Sequence, residues 1–215
     1  MSKLKLTQIE IDKLVTVERM AVPPTVCGVG CNDVGFQVWV GRKDIWQYKL
    51  WQNMLKRAFC EKEKQRCPTY ENVTCCDEWL SFANFLRWCN KEVGYKGKPV
   101  GFALDKDIIV RGNQTYSPDT CSFVPIAVNL LLVDRGASRG EYPVGVSFDK
   151  GRGKYVAKLN CFGKTKNLGY YKTPEDASFA YKTAKEVQIK IVATQYKGVL
   201  SSAAYESLMI WKIQP

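Results

Sequence analysis

Leu-Asp-Lys-Asp-Ile-Ile-Val-Arg-Gly-Asn-Gln-Thr-Tyr-Ser-Pro-Asp-Thr-Cys-Ser-Phe-Val-Pro, residues 104–125, is the stretch of the chain that decides the fold. Its apolar residues indicate two short strands, and the Gly112-Asn113 pair between them is typical of a hairpin turn. Ser117-Pro118 is typical of the start of a helix, because serine caps a helix and proline fits its first turn. The stretch therefore predicts a hairpin of two strands followed by a helix.

The first predicted strand carries two carboxylates. Asp105 and Asp107 are two residues apart, so we expect them on one face of the strand and Lys106 on the opposite face. Carboxylates on a hairpin can hold a divalent metal ion against a phosphate group. The chain contains no histidine, and a lysine beside two carboxylates is held in its protonated form. The usual general base is therefore missing, and a hairpin without any metal is the alternative interpretation.

The composition favours a polyanionic partner. The 215 residues are enough for one large domain or two small ones, and the formal net charge is +11. Nucleic acid is the commonest partner for such a charge. A membrane partner is not expected, because no basic amphipathic helix and no run of 18 apolar residues is present.

The nine cysteines are expected to be free thiols. The N-terminus has no long apolar segment of the kind that directs secretion, so we expect a reducing cytoplasm. The chain has no Cys-x-x-Cys motif. A four-thiolate zinc site built from Cys60, Cys67, Cys75 and Cys76 is conceivable, but small buried thiols are the favoured interpretation and zinc is not expected.

Two aromatic-rich segments have helical periodicity. Asp44 and Asp77 are candidate caps of helices over residues 45–59 and 78–89. Their apolar residues recur every three or four positions, which favours packing in a core over stacking on nucleic-acid bases. The residues concerned are Tyr48, Trp51, Leu55, Phe59, Trp79, Phe82, Phe85 and Trp88. A further helix is predicted from Thr7 to Met20.

The flexible segment Gly136–Gly140 predicts a domain boundary, and a compact unit follows it. Strands are predicted at residues 145–148, 155–161 and 166–171. Thr173 and Pro174 are typical of the start of a helix. Its predicted buried stripe consists of Ala177, Ala180, Ala184, Val187 and Ile191.

Basic residues concentrate on this sheet. Residues 143–198 hold 11 Lys and Arg against four acids, and no acid lies between Lys150 and Lys172. One face of the sheet must pack on the helix, so we expect the opposite face to carry the lysines. A basic β-ribbon of this kind can enter the major groove of DNA. A solvated basic surface without a partner is the alternative.

The C-terminal segment resembles the AP2/ERF-type DNA-binding domain. The resemblance is carried by Gly145-Val146, Gly153–Ala157, Leu168–Ala177 and Ala180-Tyr181. It implies that strand side chains contact bases and phosphates in the major groove. The matching positions are Ser147, Asp149, Arg152, Lys154, Lys158, Asn160, Thr165 and Asn167. Lys164 and Lys166 are added as phosphate contacts because of their charge.

The rest of the chain resembles HNH-like homing endonucleases of phages and prophages, which join a nuclease module to an AP2 domain. The matching stretches are Gly28–Gly30, Asn32-Asp33, Trp51–Arg57, Pro68–Tyr70, Asp77–Trp79, Phe82–Trp88, Leu104–Asp107, Gly112-Asn113, Tyr116–Pro118, Cys121, Phe123–Pro125 and Asn129. The resemblance implies Mg²⁺ held by Asp105 and Asp107, with Asn129 or Asn113 as a later amide ligand. Lys106 occupies the position of the general base.

These patterns predict an α+β protein with a ββα-metal-type, HNH-like module followed by a three-stranded antiparallel sheet packed on one helix. The predicted divisions are an N-terminal arm (1–27), the HNH-like module (28–135), the AP2-like domain (141–198) and a C-terminal tail (199–215). The predicted function is binding of double-stranded DNA, with Mg²⁺-dependent phosphodiester cleavage if the hairpin is competent. A catalytically inactive regulator that binds DNA or a host protein, and an RNA-binding protein, are the alternatives. The predicted location is the cytoplasm of a bacterial host.

Overall fold

The computed structural model describes residues 3–93, 101–132 and 141–213. These residues form a mixed α and β structure, as predicted. The chain divides into two compact units, Met1–Phe123 and Val124–Pro215. The predicted linker, residues 136–140, lies outside the described residues.

The elements of the first unit are short, apart from two helices. In chain order they are α1 (Gln8–Asp12), β1 (Trp39–Val40), β2 (Lys43–Asp44), α2 (Trp46–Phe59), α3 (Glu61–Arg66), β3 (Thr74–Cys75), α4 (Phe82–Val93), β4 (Phe102–Asp105), β5 (Thr115–Tyr116) and β6 (Ser122–Pro125). The division between the units falls inside β6. Short 3₁₀ turns lie at Pro68–Tyr70 and Asp77–Leu80.

The core of the first unit forms around α2 and α4. Trp51, Trp79, Phe82 and Phe85 are all fully buried, so the prediction that these aromatics form a core is confirmed. The indole nitrogen of Trp51 donates to the carbonyl of Trp79 at 2.7 Å, which satisfies a polar group that burial would otherwise leave unpaired.

The N-terminal segment contributes to this core. The helix predicted from Thr7 to Met20 is wrong in length, because α1 ends at Asp12. Ile11 is fully buried. The Oδ1 atom of Asp12 accepts hydrogen bonds from Trp46 Nε1 at 3.1 Å and Gln47 Nε2 at 2.7 Å, and these bonds hold the segment against α2.

The predicted hairpin of residues 104–116 is wrong. β4 pairs with β6, whereas β5 pairs in parallel with β3, so the two strands belong to different sheets. The helix predicted from Ser117-Pro118 through Leu132 is wrong in its start, since a turn and then β6 follow β5, and a helix is present only over Ile126–Leu132. Strand pairing depends on partners distant in the chain, which the local turn signal did not reveal.

The second unit contains a three-stranded antiparallel sheet, as predicted. Its elements are α5 (Ile126–Leu132), β7 (Val146–Asp149), β8 (Lys154–Cys161), β9 (Lys164–Tyr171), α6 (Pro174–Gln195) and α7 (Ser202–Met209). The strand order is β7-β8-β9, and α6 packs against all three strands. The Thr173 side chain accepts a hydrogen bond from the Asp176 N–H at 3.1 Å, which confirms the predicted cap of α6.

The predicted buried stripe of α6 is only partly correct. Ala177 is fully buried, but Val187 and Ile191 are about half exposed, at 52% and 47%. The buried residues of the second half of α6 are instead Ile189, Val192 and Ala193. The reason is that α7 packs on this half of the helix, so its buried face differs from the face that meets the sheet.

We expect Gly145→Ala to destabilise the second unit by at least about 2 kcal/mol. Gly145 has φ +77°, and a Cβ atom there would lie 2.1 Å from Cδ2 of Tyr181 on α6. Gly151→Ala is the matched control, because its Cβ would meet nothing closer than 3.5 Å. Urea unfolding followed by circular dichroism measures both, and equal stability of the two variants would contradict the close packing at Gly145.

Candidate functional site

The side chain of Asp105 organises the bend that follows β4. Its Oδ1 atom accepts hydrogen bonds from the backbone N–H groups of Asp107 at 3.0 Å and Ile108 at 2.8 Å. Asp105 is buried, with 8% of its surface exposed. The Oδ1 atom of Asp105 therefore already has two hydrogen-bond partners within the fold, which limits its capacity to bind a ligand.

Lys106 lies on the same side as Asp107, which corrects the prediction of opposite faces. Its Nζ atom is 3.5 Å from Oδ2 of Asp107 and donates to the carbonyl of Asn113 at 3.0 Å. The reason is that β4 ends at Asp105, so the alternation of a strand does not continue through Lys106. Lys106 thus bridges the two ends of the bend.

The two candidate amide ligands have different surroundings. The Asn113 amide nitrogen donates to the carbonyls of Lys106 at 2.6 Å and Thr115 at 2.7 Å, while Oδ1 accepts from Thr115 N–H at 3.2 Å. Asn113 therefore holds the loop together. Asn129 lies half-buried on α5, in the second unit.

The two carboxylates are close enough to affect each other. Burial, together with the charge and the side-chain hydrogen bond of Asp107, raises the pKa of Asp105 to about 6. Mg²⁺ is commonly held by one or two carboxylates together with waters and phosphates, so Asp105 and Asp107 suit it chemically. Among the described residues, no three Asp, Glu, Cys or His side chains gather as a metal site.

We expect Asp105→Asn to stabilise the protein at pH 7.5 relative to wild type, by up to about 2 kcal/mol. The raised pKa of Asp105 means that the unfolded chain loses its proton at lower pH than the folded chain. Wild-type stability therefore falls as the pH rises from about 4 to about 6 and stays lower above it. Asparagine keeps the acceptor for the two N–H groups and removes this penalty.

Urea unfolding at pH 4.5 and 7.5 measures the effect. The expected result is that the free energy of unfolding of the variant exceeds that of wild type by more at pH 7.5 than at pH 4.5. A difference that is the same at both pH values would contradict an unfavourable carboxylate pair.

The four candidate zinc ligands lie around two elements, α3 and β3. Cys60 and Cys67 flank α3, whereas Cys75 and Cys76 lie at and just after β3. Burial raises the pKa of Cys75, and it raises that of Cys121 to about 12. Both groups are therefore held as thiols in the metal-free protein.

The register of β7, β8 and β9 defines which side chains share a face. Ala157 and Leu159 lie on the face that α6 covers, and both are buried. Lys154, Val156, Lys158 and Asn160 alternate with them and lie on the opposite face. We call this opposite face the open face. Its exposed members are Ser147, Lys154, Lys158, Asn160, Thr165, Asn167 and Tyr170.

Lys164 and Lys166 do not lie on the open face, which corrects the prediction that one face carries the lysines. Lys164 pairs with Cys161 and Lys166 pairs with Leu159, so both belong to the face that includes Leu159. The cause is the two-residue turn at Phe162-Gly163, which fixes the pairing of the two strands.

The open face also contains a contact that the sequence did not reveal. The guanidinium of Arg152 lies over the ring of Tyr170, 4.3 Å from its centroid. The Nδ2 atom of Asn160 donates to Thr165 Oγ1 at 3.2 Å. Arg152 and Tyr170 are distant in the chain, and only the strand register brings them together.

The tip of the β8–β9 hairpin is a second feature that sequence analysis missed. Phe162 has φ +52° and Gly163 has φ +78°, as in a type I′ turn. The left-handed conformation of Phe162 costs about 1 kcal/mol or more. A Phe-Gly pair lacks the asparagine that usually marks this turn, which is why the pattern was not recognised.

No helix in the described part of the chain has the length and apolar character needed to span a bilayer. Comparison with family models, with curated proteins and with solved structures finds no significant match. The two resemblances therefore rest on the residues quoted for them.

Proposed function

We propose that the protein binds double-stranded DNA through the open face of the β7-β8-β9 sheet. The observation that carries the proposal is that Lys154, Lys158, Asn160 and Asn167 are exposed together on the face opposite α6, with Arg152 in the adjoining turn. All the positions that the AP2 resemblance implies as contacts lie on this face or in the turn beside it. The covering helix leaves this face of the sheet accessible.

The chemistry of the open face suits a duplex. Lys154 and Lys158 supply charge for phosphates, while Asn160, Thr165 and Asn167 supply the donors and acceptors that read base edges. These five residues are exposed. A helix-backed sheet has a fixed backbone, so binding needs to order side chains but not main chain.

Fluorescence anisotropy of a labelled 20-bp duplex tests the proposal with the full-length protein. Binding is expected to weaken steadily with salt, with a slope of log K against log[salt] near −3 if Arg152, Lys154 and Lys158 each neutralise one phosphate. No saturable binding at 50 mM salt would overturn it. Tighter binding to duplex RNA than to DNA would favour the RNA-binding alternative.

A second candidate function is Mg²⁺-dependent DNA cleavage, because Asp105 and Asp107 form a carboxylate pair that a divalent cation would neutralise. When bound, the ion would stabilise negative charge on a phosphate. Asp105 would orient one ligand oxygen through its hydrogen bonds to the backbone, and Asp107 is the more exposed of the two, with 49% of its side chain accessible.

Plasmid nicking in Mg²⁺ or Mn²⁺ tests this second function. Asp107→Asn is expected to reduce nicking at least tenfold, whereas Asp119→Asn, at an exposed acid outside the pair, leaves it unchanged. If wild-type protein leaves supercoiled plasmid intact in both metals, DNA binding stands and cleavage is rejected.

A further inference from the structure

The β8–β9 hairpin extends beyond the third strand of its sheet. β7 pairs with β8 only from Lys154 to Ala157. The Lys158 N–H still donates to the carbonyl of Gly145 at 2.7 Å, just before β7, and the pairs from Leu159–Lys166 to Cys161–Lys164 involve β9 alone. Beyond Lys158, three residue pairs at about 3.3 Å each give a two-stranded extension about 10 Å long. We call residues 158–167 the arm.

The arm is cationic and mostly exposed. It contains Lys158, Lys164 and Lys166 and no acid. Within it, Leu159 is buried and Cys161 half-buried, whereas its remaining residues are exposed. An arm of this length can carry its tip past the strands that lie on a duplex.

Phe162, at the tip of the arm, has an exposed ring and an unfavourable backbone conformation. Its side chain is 56% exposed, and its backbone has the positive φ that asparagine or glycine adopts more readily. The turn is also fixed, because Oδ1 of Asn160 accepts a hydrogen bond from the Gly163 N–H at 3.2 Å. A large apolar ring is therefore held in solvent at a position where a polar residue would be more stable.

We propose that Phe162 is a wedge that inserts between neighbouring base pairs and bends the duplex bound by the open face. This inference rests on the proposed function. Proteins that bind the minor groove use apolar side chains in this way, and they gain contacts when the DNA bends. A single ring surrounded by lysine, asparagine and threonine offers too little apolar surface to anchor the protein to a membrane.

Phe162→Asn tests the wedge without disrupting the turn. Asparagine favours the left-handed conformation, so the variant is expected to fold and to have a higher melting temperature than wild type. Phe179→Ala is the matched control, because Phe179 is a phenylalanine of the same unit that is 74% exposed on α6.

Energy transfer between dyes at the two ends of a 30-bp duplex measures the bend. Wild type and Phe179→Ala are expected to shorten the end-to-end distance by a bend in the range of about 20–90°. Phe162→Asn is expected to bind within about tenfold of wild type and to leave the duplex straight.

Three results overturn the wedge. The first is an equal bend with wild type and Phe162→Asn, and the second is a straight duplex with both. In either case saturable binding would show that the proposed function survives. The third is Phe162-dependent binding to vesicles of anionic phospholipid without any DNA bend, which would assign the tip to a membrane surface.

Discussion

Lys154→Gln/Lys158→Gln is expected to bind duplex DNA at least tenfold more weakly than wild type at 100 mM salt. Both lysines are exposed on the open face. In the proposed complex each neutralises one phosphate. Removing two phosphate contacts should also make the slope of log K against log[salt] less negative by about 1.8.

The sheet itself supplies the matched control. Lys164→Gln/Lys166→Gln removes the same charge from the same hairpin, but the register places these lysines on the other face. We expect its affinity to remain within about threefold of wild type. Equal losses in the two double variants would mean that net charge, and not the open face, determines binding.

Asp33→Ala is expected to lower the stability of the first unit by about 3 kcal/mol, or roughly 10 °C in melting temperature. Asp33 is 1% exposed. Its carboxylate accepts hydrogen bonds from Ser81 Oγ at 2.7 Å, Ala83 N–H at 2.9 Å and Arg19 Nε at 2.9 Å. Alanine leaves the buried donors without a partner, and the link between the N-terminal segment and α4 is lost.

Two comparison variants separate this buried network from a simple loss of charge. Arg19→Ala is expected to cost less, up to about 1 kcal/mol, because the Arg19 side chain is 59% exposed. Asp119→Ala removes an exposed acid and should change stability by no more than about 0.5 kcal/mol. Calorimetry of the three variants measures how much stability each one loses. A loss for Asp33→Ala no larger than the loss for Arg19→Ala would contradict the role of the buried network.

Local patterns located α2, α4 and α6, whereas the helix predicted from Thr7 was too long and the helix start predicted at Ser117 was wrong. The spacing of Trp51, Phe82 and Phe85 identified the core, and Thr173-Pro174 identified the start of α6. These features depend on residues within one or two turns of each other, so a short stretch of sequence contains the information.

Strand partners and faces were harder to predict. β4 and β5 have a turn-like segment between them, yet each pairs with a strand from elsewhere in the chain. The face of Lys164 and Lys166 depends on whether two or three residues form the turn after Cys161. Pairing alternates with a period of two, so a one-residue change in register moves a side chain to the other face.

For the candidate acidic site, too, the sequence indicated which residues lie near each other but not which hydrogen bonds they make. Sequence proximity correctly suggested that Asp105 and Asp107 interact. It could not show that Asp105 accepts two backbone hydrogen bonds or that Asn113 holds the loop together, because both depend on the bend after β4. Whether this pair binds Mg²⁺ remains a proposal with its own test.

Lysine footprinting tests the central claim most directly. The full-length protein is treated with an amine-reactive acylating reagent, with and without saturating 20-bp duplex, and labelled lysines are quantified by mass spectrometry. We predict that the duplex protects Lys154 and Lys158, while Lys166, on the other face and farther from the tip, keeps most of its reactivity. Unchanged labelling of Lys154 and Lys158 on a saturated complex would contradict DNA binding by the open face.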